Sequence, residues 1–267
     1  MMDGLERILR SMEPISLEGM GGVKLMNRVD SKFPTNMETL LRMAPLWREH
    51  FYVQEHEGRR IARYRSLYFD TPDAVTYTLH HNRRLHRQKI RQRIYVDSNI
   101  AFLEIKNKKN TGRTKKKRIP IPVEQWGELY STPESAGFIR EKVWVTDRPL
   151  APRLENAFRR ITLVNKARTE RITIDFGITF HNHLSGCDAD VSDLVIVEVK
   201  QDGSLPSKFK DLLRDARVKK KGLSKYCLGM LLTDEHLKYN RFKNKIRYVN
   251  KLTNQNYTIK SLENDTE

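Results

Sequence analysis

The sequence predicts an α+β fold built on an antiparallel sheet. Alternating apolar and charged segments run from 60 to 122 and again from 161 to 201. Stretches with helical periodicity flank them at both ends. No low-complexity linker and no repeat of roughly 20–50 residues divides the chain. At 267 residues with 38% apolar side chains, the chain can bury a substantial core as one large domain or two small ones.

The elements follow in order. Residues 1–12 read as an amphipathic helix with Leu5, Ile8, Leu9 and Met12 on one side, closed by Pro14. An extended stretch, 23–33, leads to a helix over 35–50, where Thr35 and Glu38 have the spacing of a capping box and Pro45 kinks or ends the helix. Residues 63–71 read as a strand and 71–82 as a turn into a short helix. Strands follow at 85–96, 101–108 and 115–123, each bounded by Asn, Gly or Pro. The segment 124–161 (EQWGELY, ESAGFIREKVWV, PRLENAFRRI) is helical in flavour. Strands resume at 161–167, 170–182 and 194–201. Two helices, SKFKDLLRDARVKKK and LSKYCLGMLL, precede a basic, partly helical tail. The organisation is thus a helix and lead-in (1–22), a main domain (23–235) and the tail (236–267).

Fifty Lys and Arg against 33 Asp and Glu give a formal charge of +17. Such an excess opposes compaction and calls for an anionic partner: nucleic acid, an anionic membrane or a phosphate-rich small molecule. Ten Tyr, ten Phe and three Trp spread along the chain argue against a disordered polycation. Cys187 and Cys227 are too few and too far apart for a disulfide framework or a zinc site. No stretch approaches the ~20 apolar residues of a membrane span. The N-terminus carries acids and no apolar signal core, so the expected location is cytoplasmic.

The positions of the charges are the informative feature. In KIRQRIYV, Lys89, Arg91 and Arg93 share one strand face, opposite Ile90, Gln92 and Ile94. Glu104 lies with Lys106, and Arg171 with Thr173 and Asp175. Glu198 and Lys200 lie with Ile196, opposite Val195, Val197 and Val199. KKKRI offers either Lys115 and Lys117 or Lys116 and Arg118. One such strand fits an ordinary sheet with a wet face. Five of them place like charges on neighbouring strands, which destabilises a sheet unless an anion compensates. If that face curls inward, the interior is strongly positive, and a chain of phosphates needs that many cations. Residues 83–93 carry six Arg or Lys in eleven, and 106–118 carry eight in thirteen with no acid. Glu198, with Asp30, Glu104 and Asp175 as lesser candidates, either neutralises a neighbouring cation or holds Mg²⁺ or Mn²⁺ against phosphate oxygens. Ser224 reads as the N-cap of a helix with Lys225 in its first turn, where free backbone N–H groups favour an anion.

The ordered series NRVDSKF, SLYFDT, KIRQRIY, FLEIKNK, KKKRI, ERITID, VIVEVK and LSKYCLGM resembles the VTC domain, the polyphosphate polymerase of vacuolar transporter chaperones, in its single-domain bacterial form. The likeness runs from about residue 23 to 232. It implies the triphosphate tunnel fold, an antiparallel eight-stranded β-barrel flanked by helices. It also implies phosphate contacts from Lys32, Arg91, Arg93, Lys106, Lys116 with Arg118, Lys166, Arg171, Ser224 and Lys225, and a divalent metal, Mn²⁺ or Mg²⁺, at Glu198. Lys200 joins this set through its place on the same strand face as Glu198. Where the wider superfamily has Glu-x-Glu-x-Lys, this chain has Arg28-x-Asp30-x-Lys32; loss of the first acid fits the polymerase branch better than the triphosphatase or cyclase branch. Lys166 stands where the family usually has Arg, and Val164 where Tyr is common. The implied partners are ATP and inorganic polyphosphate, with no specific nucleic acid; a membrane-protein partner for the product is open. The implied reaction is transfer of the ATP γ-phosphate to a growing chain. Metal-dependent hydrolysis of tri- or polyphosphate and non-catalytic RNA binding are the alternatives.

Overall fold

The computed structural model describes residues 2–22, 28–111, 114–145, 148–203 and 205–259. The start of the extended lead-in (23–27), Arg113 of the second basic run, the end of the tail (260–267) and the Arg28 side chain lie outside the described residues. Helix α1 is Met2–Arg10, followed by strands β1 (Pro14–Ile15) and β2 (Arg28–Asn36), helix α2 (Met37–Met43), β3 (Phe51–Gln54), β4 (Ala62–Asp70) and α3 (Val75–His81). The next are β5 (Arg87–Tyr95), β6 (Ile100–Lys108), β7 (Thr114–Ile121), α4 (Pro133–Lys142), β8 (Ala151–Asn165) and β9 (Glu170–Asn182). Strands β10 (Asp188–Asp190) and β11 (Leu194–Asp202) and helices α5 (Lys208–Asp215), α6 (Lys225–Thr233) and α7 (Lys243–Thr253) complete the order. None of the described helices is long and apolar enough to cross a membrane.

Eight strands follow one path, β2-β11-β9-β8-β4-β5-β6-β7, antiparallel throughout. The α+β antiparallel character is as the sequence predicts, but the closed eight-stranded barrel is not. The two ends of the path, β2 and β7, share no backbone ladder among the described residues. The physical reason lies in β7, whose Lys115, Lys116, Lys117 and Arg118 are exposed; a lysine-rich edge resists pairing.

Two further expectations need correcting. Residues 151–161 extend the next strand backwards into a 15-residue β8 and form no helix. Pairing with β4 on one side and β9 on the other satisfies its backbone, and this overrides the local helical pattern. The N-cap of α2 is Asn36, whose side chain accepts from the Thr39 N–H; Thr35 stays in β2 opposite Val195.

Strand alternation sorts most of the apolar side chains of the described residues into three large cores. Val195, Val197, Val199, Ile172 and Ile174 pack outward against Leu5 of α1, Leu40 of α2, Trp47 of the turn that follows it and Phe209 of α5. Leu67, Ile90, Leu103 and Ile105 pack outward on the other half of the sheet against Leu129 and Ile139. That cover is pinned by Gln92, whose amide donates to the carbonyls of Gln125 and Glu128 and accepts from the Gly127 N–H. The third core lies inside the curl. Leu154, Phe158, Phe180 and Ile196 pack there against α6, with Ile246 and Val249 of α7 behind. A Cβ at Gly229 would stand 2.5 Å from Phe180 and 2.7 Å from Leu154, so the residue without one lets α6 approach the strands. This apolar plug closes part of the interior and leaves the rest to charge.

Candidate functional site

The faces not used by the two outer cores are lined by Asp30 and Lys32 of β2, Glu198 and Lys200 of β11, and Arg171, Thr173 and Asp175 of β9. Arg160 of β8, Tyr68 of β4, and Lys89, Arg91 and Arg93 of β5 continue the row, followed by Glu104 and Lys106 of β6 and Lys116 and Arg118 of β7. Register sets cross-strand neighbours: Asp30 opposite Lys200 opposite Arg171, Arg91 opposite Glu104 opposite Arg118, Lys89 opposite Lys106 opposite Lys116. The sheet curls enough for distant strands to interact across the interior. The charge on Lys106 of β6 feels Lys32, Glu198 and Asp30 from the far end of the path.

Four carboxylates organise this lumen. Glu104, 1% exposed, accepts from Arg91 Nε and Nη2 at 2.8 and 2.6 Å and from Lys116 Nζ at 2.9 Å. Burial alone would raise its pKa, but Arg91, Arg93 and Lys116 outweigh it and hold the carboxyl near 2. Asp175, 4% exposed, takes both Arg160 nitrogens at 2.5 and 2.8 Å and also accepts from Lys225. Against burial, these two cations keep it ionised well below the usual carboxylate range. Glu198 lies 3.6 Å from Lys200, and the charges of Lys32, Lys200 and Arg160 overcome burial to hold it near 2. Asp30 is exposed and its charge reaches Lys106 and Lys200.

The N-terminus of α6 completes one wall. Ser224 is its N-cap, as the sequence predicts; its Oγ accepts from the Cys227 N–H at 3.3 Å and from Lys89 Nζ at 2.7 Å. Lys32 Nζ donates to the Leu223 carbonyl at 3.1 Å. Tyr68 stacks on Tyr226 at 4.9 Å and accepts from Arg91 at 3.2 Å. Burial pushes the Tyr68 phenol up, yet Arg91, Lys89 and Arg93 pull it down to about 7.

Cations outnumber carboxylates here, and burial is the first cause of the lowered pKa values of Lys89, Lys200 and Lys225, each about 8. A polyanion bound here would restore their protons. For a polyphosphate such as tripolyphosphate, affinity is therefore expected to fall as pH rises above about 8. Because the folded values lie below the ordinary 10.5, the ligand-free fold should gain stability from these lysines over the same rise. Calorimetric titration and thermal unfolding at a series of pH values check both signs; affinity that climbs with pH would refute the assignment.

The sequence-predicted residues Lys32, Arg91, Arg93, Lys106, Lys116, Arg118, Arg171, Lys200, Ser224, Lys225 and Glu198 all belong to this lumen by register or contact. Lys166 does not. It follows the end of β8, exposed, with Nζ on Glu13 at 2.7 Å and its N–H on the His50 carbonyl. The strand has left the lumen by that point, and the β8 cation inside it is Arg160. Arg160 lies in the segment for which the sequence predicts a helix; the alternation Phe158, Arg160, Thr162 is the sequence signal that marks it as a strand residue. Of the two alternatives in KKKRI, Lys116 and Arg118 face Glu104 and Phe102.

Among the described residues, no group of three or more His, Cys, Asp or Glu is placed to hold a metal by itself. Glu198, ionised, and Asp30, one step along the neighbouring strand, offer oxygen donors beside a phosphate-sized excess of cations. That donor set suits a hard divalent ion that is held by one or two carboxylates and completed by substrate phosphates.

The VTC domain family matches residues 27–234. No curated protein matches the chain significantly. Similar solved structures include a conserved hypothetical protein from Pyrococcus furiosus, at 12% identity over 75% of this chain and 99% of that one, TM-score 0.41. The PH1819 protein from Pyrococcus horikoshii OT3 has 14% identity over 76% and 98%, TM-score 0.43. HpAC1 from Hippeastrum, for which a dominant triphosphatase activity is described, has 14% identity over 75% and 94%, TM-score 0.44.

Proposed function

The chain belongs to the VTC-domain family, and on that premise we propose that it transfers the terminal phosphoryl group of ATP to a growing inorganic polyphosphate chain held in the basic lumen. The observation that carries this reading is the convergence of Lys32, Lys89, Arg91, Arg93, Lys106, Arg160, Arg171 and Lys200 on one interior, with carboxylates too few to neutralise them. A chain of phosphates supplies the missing charge along the whole lumen, where a single phosphate leaves most cations unmatched.

Phosphoryl transfer asks a protein for alignment and charge neutralisation more than for covalent chemistry. Arg91, fixed by Glu104 and Tyr68, and Arg160, fixed by Asp175, present guanidinium groups in set orientations. They hold the transferring and bridging phosphates together with Arg93, Lys106 and Arg171. An oxygen of the acceptor's terminal phosphate attacks the γ-phosphorus, the bond to the β–γ bridging oxygen breaks, and ADP leaves with that oxygen's charge neutralised by the same cations. No side-chain nucleophile is required: Cys227 is buried, burial raises its thiol pKa, and Ser224 Oγ is occupied as a helix cap. Lys32, Ser224 and Lys225 bind phosphate beside the α6 wall. A divalent ion held by Glu198 and Asp30 would supply Lewis-acid polarisation of a phosphoryl oxygen.

Incubation with ATP and Mn²⁺, followed by gel electrophoresis and ³¹P spectroscopy, tests the reading. Long chains accompanied by ADP are the expected products. Free phosphate without chain growth would replace polymerisation by hydrolysis at the same site.

A further inference from the structure

One stretch of the lumen wall is aromatic: it starts at the margin of the inner core with Tyr95 and ends at Phe102, which packs in none of the apolar clusters. On β5 the inward series Lys89, Arg91, Arg93 continues to Tyr95; on β6 the series Lys106, Glu104 continues to Phe102, the cross-strand partner of Arg93. The Tyr95 and Phe102 rings meet edge to face, centroids 5.8 Å apart at 82°. Tyr95 lies 5.0 Å from Tyr64, which stacks on Phe158 at 5.2 Å. Tyr64 and Phe158 are buried, whereas Tyr95 and Phe102 are half-buried; Tyr95 packs by one side against the inner core, and Phe102 joins none of the apolar clusters. Arg118 holds its guanidinium 4.3 Å over the Phe102 ring.

We propose that this corner of Tyr95 and Phe102, rimmed by Arg118, binds the nucleobase of a nucleoside triphosphate whose phosphates lie at Arg91 and Arg93. The order along β5 matches such a ligand: cations first, then an aromatic ring. One step of two residues, about 7 Å, separates the Arg93 and Tyr95 positions, the room a ribose needs. A half-exposed ring on a charged wall offers a π-face, which every base can stack on, and an arginine beside it adds a cation–π partner. Inorganic polyphosphate has no group that uses either ring. The inference rests on the lumen being a phosphate site and deepens that reading: the donor is recognised as a nucleotide, not only as a triphosphate.

Calorimetric titration of a non-hydrolysable ATP analogue and, separately, of tripolyphosphate separates the two ideas. Tyr95→Ala and Phe102→Leu are expected to weaken the ATP analogue by about 5- to 100-fold, the range for loss of a stacking partner, with tripolyphosphate affinity within about twofold of the unsubstituted chain. Retained tripolyphosphate binding also shows that each variant is folded. Tyr95→Phe, which keeps the π-face, should bind the analogue as the unsubstituted chain does. Unchanged analogue affinity in both variants, or equal losses for the two ligands, would overturn the nucleobase site while leaving the phosphate lumen in place. If the unsubstituted chain binds no tripolyphosphate, the lumen reading falls and this inference with it.

Discussion

Glu198→Gln should lower ADP release from ATP by at least about 10²-fold, because Lewis-acid stabilisation is worth several kcal/mol and each 1.36 kcal/mol is tenfold in rate. The substitution keeps the shape of the side chain and removes the charge that burial and four neighbouring cations already act upon. Its effect on binding should run the other way. The lumen becomes more positive, so tripolyphosphate should bind at least as tightly as before. This split between turnover and affinity distinguishes a metal-holding carboxylate from one that only neutralises Lys200 at 3.6 Å. Steady-state kinetics with Mn²⁺ and a calorimetric titration measure the two arms. Turnover within a few-fold of the unsubstituted chain would remove Glu198 from the chemistry.

Asp175→Asn should cost about 3–5 kcal/mol of folding stability, the usual consequence of removing one partner from a buried ion pair. Arg160 and Lys225 both converge on this carboxylate, with side chains only 15% and 13% exposed. Without it, two cations face each other in a partly desolvated wall. Urea denaturation reads the loss directly, and a change below about 1 kcal/mol would mean that water already screens the pair. Acid should produce a related effect in the unsubstituted chain. Asp175, Glu104 and Glu198 all have folded pKa values below their ordinary 3.8 or 4.5. Their contribution is complete above those ordinary values and drains away as pH falls toward about 2. Asp175→Asn should flatten that acid dependence as well as lower the plateau.

Much of the site was legible because strand geometry is strict. Once KIRQRIYV is a strand, Lys89, Arg91 and Arg93 must share a face, and the same holds for Glu104 with Lys106 and Glu198 with Lys200. Ser224 was legible as a cap because an N-cap is a local event. What was not legible depended on partners distant in the chain. LENAFRRI has helix-like apolar spacing, and only its ladders to β4 and β9 make it a strand and turn Arg160 toward the lumen. Lys166 has the composition of a phosphate ligand, but where β8 ends is decided by the turn that follows, with the Thr169 and Glu170 N–H groups donating to the Asn165 side chain. Barrel closure was equally out of reach, because pairing of β2 with β7 is a contest between two sequence-distant edges.

That unclosed edge has a mechanical consequence. Around most of the wall, any change of girth must break inter-strand N–H to C=O ladders. Between β2 and β7, which share no backbone ladder among the described residues, the walls can part or draw together at no cost in inter-strand hydrogen bonds. The compliance of the enclosure is therefore concentrated along one longitudinal slit.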